Sequence, residues 1–211
     1  DRDLPRSAFE RVRACMLELY GEMWWALFTV QWCEALRISE AAALCWEDVR
    51  LNTAKPSASC IHVCRHVVWT RVSGEEPIVE SGFKNSTANG GSKLLPLFPE
   101  AFAALRKIST ARTFGLIFRN SDGGPLTYRS IQSRYERAFA KAGIEYRGTH
   151  ALRHGGCREI YNRTGDVALA GLLLGNQVND SIRVYARRDP AALFKFAEDS
   201  WAAPLLLEAG D

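Results

Sequence analysis

The chain has 211 residues, 47% of them hydrophobic and 24% charged, which suits one soluble globular domain and excludes a disordered polyelectrolyte. No apolar run is long enough to span a bilayer as a helix, and the charged start DRDLPRSAFERVR does not read as a secretory leader. Net charge is only +3, yet residues 106–188 hold 15 Lys and Arg against 6 Asp and Glu, so this segment is either a solvated helical surface or a face that meets a polyanion such as nucleic acid.

In chain order, residues 7–34 have helical spacing through Phe9, Val12, Met16, Leu19, Trp24 and Leu27, with a break near Gly21. The aromatic stretch MWWALFTVQW reads as core. Arg37 follows, and Ser39 is the expected N-cap of a helix from Glu40 to about Trp46. Alone, Arg37 and Glu40 would be an ordinary surface pair. Residues 60–97 change to β character, with strands expected at 60–70, 77–79 and 93–97 and a long turn SGFKNSTANGGSK between the last two. Cys60, His62, Cys64 and His66 alternate along the first of these strands. One extended strand cannot wrap a tetrahedral ion with all four, so they read as a half-buried strand face and no metal is expected. The six cysteines lie mostly in apolar patterns, which favours reduced thiols in a cytoplasmic protein.

Pro99 opens a helix to about Thr110, with Phe102, Leu105 and Ile108 inward. Thr127 caps the next, which runs to about Ala142 and closes at Gly143. Arg129, Gln132, Arg134 and Arg137 lie off its apolar face, as plain solvated residues or as readers of a DNA groove. A helix beginning at Gly148 or Thr149 carries His150, Arg153 and His154 on one face. Gly165-Asp166 opens another, ending in Leu174-Gly175-Asn176. Asn179 or Asp180 caps a short helix bearing Arg183 and Tyr185, and a last helix runs from Ala191 to about Trp201. A tyrosine beside Val and Ile is by itself usually core.

The ordered set Arg37-x-x-Glu40, a lysine on the hairpin, His150-x-x-Arg153, Leu174-Gly175-Asn176 and Tyr185 resembles the catalytic domain of the tyrosine recombinase, or phage integrase, family. Each piece alone is weak; the order and the final spacing are what carry the resemblance. It implies an α+β fold, mainly helical, with a small three-stranded antiparallel sheet. It implies a catalytic domain over 1–190 and a C-terminal helix and tail over 191–211 that docks on a neighbouring protomer. With no initiator Met, the chain reads as an excised domain lacking an N-terminal core-binding domain. One departure stands out: Asn176 occupies a position where the family usually has His or Trp.

The resemblance also implies a chemistry. Arg37 and Arg153 hold the scissile phosphate of double-stranded DNA through forked hydrogen bonds, and Glu40 and His154 support them. Tyr185 is the nucleophile, with an ordinary pKa near 10, and His150 is its base. Lys84 protonates the leaving 5′ oxygen, with Lys93 as the competing candidate. Asn176, or Gln177 beside it, supplies a further donor to the phosphate. Arg129, Gln132, Arg134 and Arg183 contact DNA. No metal, ATP or other cofactor is implied, and the enzyme works as an oligomer of up to four subunits on its recombination site. The alternative is a catalytically weakened DNA-binding relative that regulates or scaffolds.

Overall fold

The computed structural model describes residues 3–70, 75–82, 91–174 and 190–202. Helix α1 (Arg6–Tyr20) ends at Gly21, whose φ of +78° turns the chain directly into α2 (Glu22–Cys33). Helix α2 is apolar on every side and is buried from Ala26 to Cys33, as expected of a central core helix. Phe9 of α1 stacks on Trp32 at 4.1 Å and on Phe28 at 5.6 Å between ring centres. Around α2 lie α1, α4 (Pro99–Ile108) and α6 (His150–Thr164), while α5 (Tyr128–Lys141) rests on α1. Thr127 caps α5 by accepting the Ser130 N–H. Helix α7 (Val167–Leu174) is capped by Asp166, whose carboxylate accepts the Ala168 and Leu169 N–H groups.

The short helix α3 (Ile38–Ala42) begins two residues earlier than Ser39 would place it, and it stops at Ala42 rather than continuing to Trp46. Arg37 has the extended backbone of the N-cap, and the Glu40 side chain accepts its N–H at 3.0 Å. The cap is therefore supplied from inside the helix, by a carboxylate at its first turn. Trp46 opens a separate 3-10 turn.

The β region divides differently from the expected three strands. Strands β1 (Val49–Arg50), β2 (Cys60–Val63) and β5 (Lys93–Pro96) form an antiparallel sheet in the order β1-β2-β5. Strands β3 (Arg65–Val68) and β4 (Ile78–Ser81) form a separate two-stranded ribbon. The apolar stretch 60–70 is thus not one strand. It leaves the first sheet at Cys64 and enters the ribbon at Arg65, which pairs with Ser81. Ile61, Val63 and Val67 still face the core, while Cys64, Arg65 and His66, where the pairing partner changes, are all half-buried.

Helix α8 (Pro190–Ala202) lies against α7, β5 and the 3-10 turn Pro56–Ala58 of its own chain. Phe196 meets Phe98 and Trp201 meets Phe102, both edge to face. Among the described residues no helix is long and apolar enough to cross a membrane. All six cysteines are free thiols.

Candidate active site

Three elements, α3, β5 and α6, meet at Glu40. Its carboxylate is 2% exposed and lies 2.8 Å from an Arg37 guanidinium nitrogen, 3.3 Å from Lys93 Nζ and 3.5 Å from an Arg153 guanidinium nitrogen. Burial opposes its charge, but Lys93, Arg153 and the Arg37 N–H and guanidinium outweigh burial and hold the carboxyl below its ordinary range. Among the described residues, three cations surround one ionised carboxylate. The cluster is rich in positive charge, and Arg37 keeps its side chain 39% exposed at the rim.

Arg153 is the buried member, placed on the core side of α6. One guanidinium nitrogen donates to Ala35 O at 2.8 Å and the other to Leu174 O at 2.6 Å. Burial depresses its pKa to about 10, which Glu40 partly offsets. Ala35 sits in the turn between α2 and α3 with φ of +46°, an uncommon conformation for a residue other than glycine. That turn presents both the Ala35 carbonyl to Arg153 and the following Arg37 to solvent.

Two glycines set the approach of α6 to α2. A methyl group on Gly156 would stand 1.8 Å from Trp32 O, and one on Gly155 would stand 2.2 Å from Leu4 O. Only bare backbone fits there, and the contact is what lets Arg153 reach Ala35. A buried chain fixes the start of the same helix: Tyr135 Oη donates to Gln31 at 3.0 Å, and Gln31 donates to Thr149 O at 2.9 Å. His150 therefore sits, exposed, on a firm first turn. Burial, then Arg153, His154 and Arg37, push its pKa below the ordinary histidine value, against a smaller pull from Glu40. The imidazole is thus held neutral, the form that accepts a proton.

Lys93, at the start of β5, points inward. Its Nζ donates to Glu40 and, at 3.2 Å, to Leu173 O. Burial lowers its pKa to about 8, although Glu40 favours its charged form. The structure thus brings together Arg37, Glu40, Lys93, His150 and Arg153, with His154 exposed one turn from His150. Lys84, Asn176, Gln177, Arg183 and Tyr185 lie outside the described residues. Arg129 is exposed at the start of α5, and Gln132 donates to Glu136 at 2.8 Å. Arg134 lies 4.3 Å above the Trp24 ring and donates to Ser130 O at 3.0 Å, contacts that hold it against α2.

The Cys/His face of β2 does not gather four ligands. Asp48, His62 and Cys64 bring their ligand atoms within 4.8 Å of one another, while His66 turns to Gly82 O at 2.8 Å. Asp48 is already paired with Arg65, and burial together with Asp48 pushes the Cys64 thiol up. Within the trio Cys64 Sγ donates to Asp48 at 3.5 Å, and the Asp48 charge is met by Arg65 from outside it.

Sequence reasoning missed Glu34. It is fully buried, Oε1 accepts the Phe98 N–H at 2.9 Å, and Oε2 has no partner among the described residues. Burial raises its pKa to about 8, despite the Phe98 N–H and Lys93, so the carboxyl is protonated at neutral pH. An unfolded glutamate releases its proton near 4.5. The folded state therefore binds the extra proton between these values, and stability falls as pH rises through that window. Glu34→Gln removes the loss. Denaturant titrations should show the variant gaining on wild type by up to about 1.4 kcal/mol per pH unit across the window. An advantage equal at pH 5 and pH 8.5 would count against a titrating Glu34.

Residues 22–191 match the phage integrase family. The chain is 26% identical over 181 residues to the tyrosine recombinase XerC of Mesorhizobium japonicum, an alignment covering 83% of this chain and 50% of that protein. It is 30% identical over 110 residues to XerC of Brucella suis biovar 1, covering 49% and 35%. The chain thus spans half the length, or less, of these curated relatives. Among solved structures it is similar to the Tn1549 transposon integrase in complex with circular intermediate DNA, with a TM-score of 0.60 and 16% identity over 87% of this chain and 65% of that one. It is also similar to the XerH site-specific recombinase bound to difH substrate, with a TM-score of 0.58 and 18% identity over 89% and 51%. At those identities the likeness to solved structures is one of fold, mainly helical with a small antiparallel sheet, and the match over most of the sequence supplies the rest: the chain belongs to the phage integrase family.

Proposed function

We propose that the chain is the catalytic domain of a site-specific DNA recombinase that cuts and rejoins strands through a 3′-phosphotyrosyl intermediate. The observation that carries this reading is the cluster of Arg37, Arg153 and Lys93 on the single carboxylate of Glu40, with a neutral His150 beside it. Such a cluster suits one more anion, and a scissile phosphodiester supplies it. The curated relatives are named tyrosine recombinases, and the similar solved structures include recombinases bound to DNA.

In this mechanism Arg37 and Arg153 donate to the non-bridging oxygens, whose charge grows in the transition state. The Tyr185 phenol oxygen bonds to phosphorus, the bond from phosphorus to the 5′ oxygen breaks, and His150 takes the phenol proton. Lys84 gives a proton to the departing 5′ oxygen. The phosphotyrosyl bond conserves the energy of the broken ester, so rejoining needs only a 5′ hydroxyl from a second strand. Asn176, an uncharged amide where the family usually has His or Trp, donates to the phosphate. The protein acts in the cytoplasm as an oligomer of up to four subunits on its DNA site, with Arg129, Gln132 and Arg183 on DNA. Residues 1–190 form the catalytic domain. The C-terminal helix and tail over 191–211 are assigned to docking on a neighbouring protomer; within the single chain α8 packs on its own body.

The test is a nicked DNA substrate from which the cleaved piece diffuses away, built from sequence flanking the native gene and incubated without metal or ATP. A covalent protein–DNA band on a denaturing gel is expected, and it should vanish in Tyr185→Phe. A band that persists would move the nucleophile to another residue. DNA that binds without any covalent band would favour a regulatory relative.

A further inference from the structure

We propose that Lys93 is a positioning residue that ties the carboxyl-terminal end of α7 to Glu40, and that it is not the acid that protonates the leaving oxygen. The proposal rests on the recombinase reading above and goes beyond it by giving a role to a lysine which that mechanism does not use.

The last carbonyls of a helix lack intrahelical partners and carry the negative end of the helix dipole. At α7 two successive ones are taken by cations: Leu173 O accepts from Lys93 and Leu174 O from Arg153. Both cations also contact Glu40, at 3.3 and 3.5 Å. The end of α7 is therefore bound to the same carboxylate that holds Arg37. Asn176 follows two residues after Leu174, and consecutive Cα atoms are only about 3.8 Å apart. Holding Leu174 in place thus bounds where the chain toward Asn176 continues.

Burying an amine is costly, and Lys93 has only 11% of its side chain exposed. Charge balance does not require it, since Glu40 already has Arg37 and Arg153. What Lys93 adds is the link between two elements, β5 and α7, that otherwise meet the cluster from different sides. A proton donor to the leaving oxygen has to reach solvent-facing DNA, whereas Lys93 Nζ faces Glu40 and a main-chain carbonyl.

Sulfur in place of the 5′ bridging oxygen separates the two roles, because a thiolate leaves without being protonated. Wild type, Lys93→Met and Lys84→Met would be compared on oxygen and sulfur substrates, reading DNA affinity by gel shift and single-turnover formation of the covalent complex. Lys93→Met is expected to cleave both substrates about 100-fold more slowly at saturating protein, the usual scale for an ångström of misplacement. Lys84→Met should recover on sulfur. Recovery of Lys93→Met on sulfur would make Lys93 the acid and overturn the proposal, as would a wild-type rate on oxygen. Should the Met variant not fold, Lys93→Gln, which can still donate to Leu173 O, carries the same comparison. Failure of both to fold would make Lys93 a residue of the core and also overturn it. Absence of a Tyr185-dependent covalent complex in wild type would instead remove the recombinase reading itself.

Discussion

Glu40→Ala is expected to destabilise the protein by about 3–5 kcal/mol at neutral pH, the range for breaking a buried charge cluster by deleting one partner. The reason is arithmetic among neighbours: Arg37, Lys93 and Arg153 all contact this one carboxylate, and its loss leaves three cations facing one another. The Arg37 N–H at the head of α3 also loses its acceptor. Formation of the covalent DNA complex should fall by about 100-fold or more, because Arg37 loses the carboxylate that holds both its N–H and its guanidinium. Glu40→Gln keeps the volume and an acceptor for the Arg37 N–H but not the charge, so its losses should be intermediate. The pH dependence has a definite sign. The folded carboxyl titrates below its ordinary value of 4.5, so its contribution is complete above that value and disappears as pH falls through the folded pKa. The deficit of Glu40→Ala relative to wild type, measured by denaturant titration, should therefore narrow in acid. A deficit that is constant from pH 7 to pH 3 would mean that shape rather than charge matters at this position.

Gly156→Ala should be nearly as damaging, although it adds a single methyl group and favours helix by about 1 kcal/mol. That methyl would lie 1.8 Å from Trp32 O and 3.6 Å from Ala35 Cα, all main-chain atoms that no rotamer change can move aside. Helix α6 must shift away from α2, at a net cost of about 3 kcal/mol. The shift carries Arg153 away from Ala35 O, so cleavage should fall more than stability alone explains. Asn162→Ala, on the exposed side of the same helix, is the control and should change stability by no more than about 0.5 kcal/mol. Thermal melts and the covalent-complex assay on both variants check this. A Gly156→Ala protein that melts with wild type would mean that the two helices do not touch as described.

Much of this architecture could be read before any coordinates. The apolar helix α2, the Thr127 and Asp166 caps and the grouping of Arg37, Glu40, His150 and Arg153 all rest on local signals or on an ordered motif. What sequence did not reveal depends on distant partners. The segment 60–70 looks like one strand because it is rich in Val and Ile, and only its neighbours β5 and β4 divide it at Cys64. Arg37 rather than Ser39 caps α3 because the Glu40 side chain folds back, which competes directly with the usual serine signal. Lys93 reads as the start of a strand and a rival to Lys84 until Glu40 and Leu173 O, 53 and 80 residues away, are placed around it. The adjacent glycines at 155 and 156 were a visible signal, since a pair inside a helix is costly unless another backbone must come close.

The aim of Arg153 is set by two carbonyls of the main chain, Ala35 O and Leu174 O. A guanidinium aimed by side chains loses its bearings when either partner mutates. Every amino acid, by contrast, carries a carbonyl, so no single substitution at 35 or 174 can delete these acceptors. Inheritance of the arginine's direction is thereby separated from the identity of its immediate neighbours. Side chains around the cluster can therefore change without removing the two acceptors that aim Arg153. Drift is constrained instead at positions that shape the backbone, with Ala35 at φ of +46° and the glycines of α6 foremost among them.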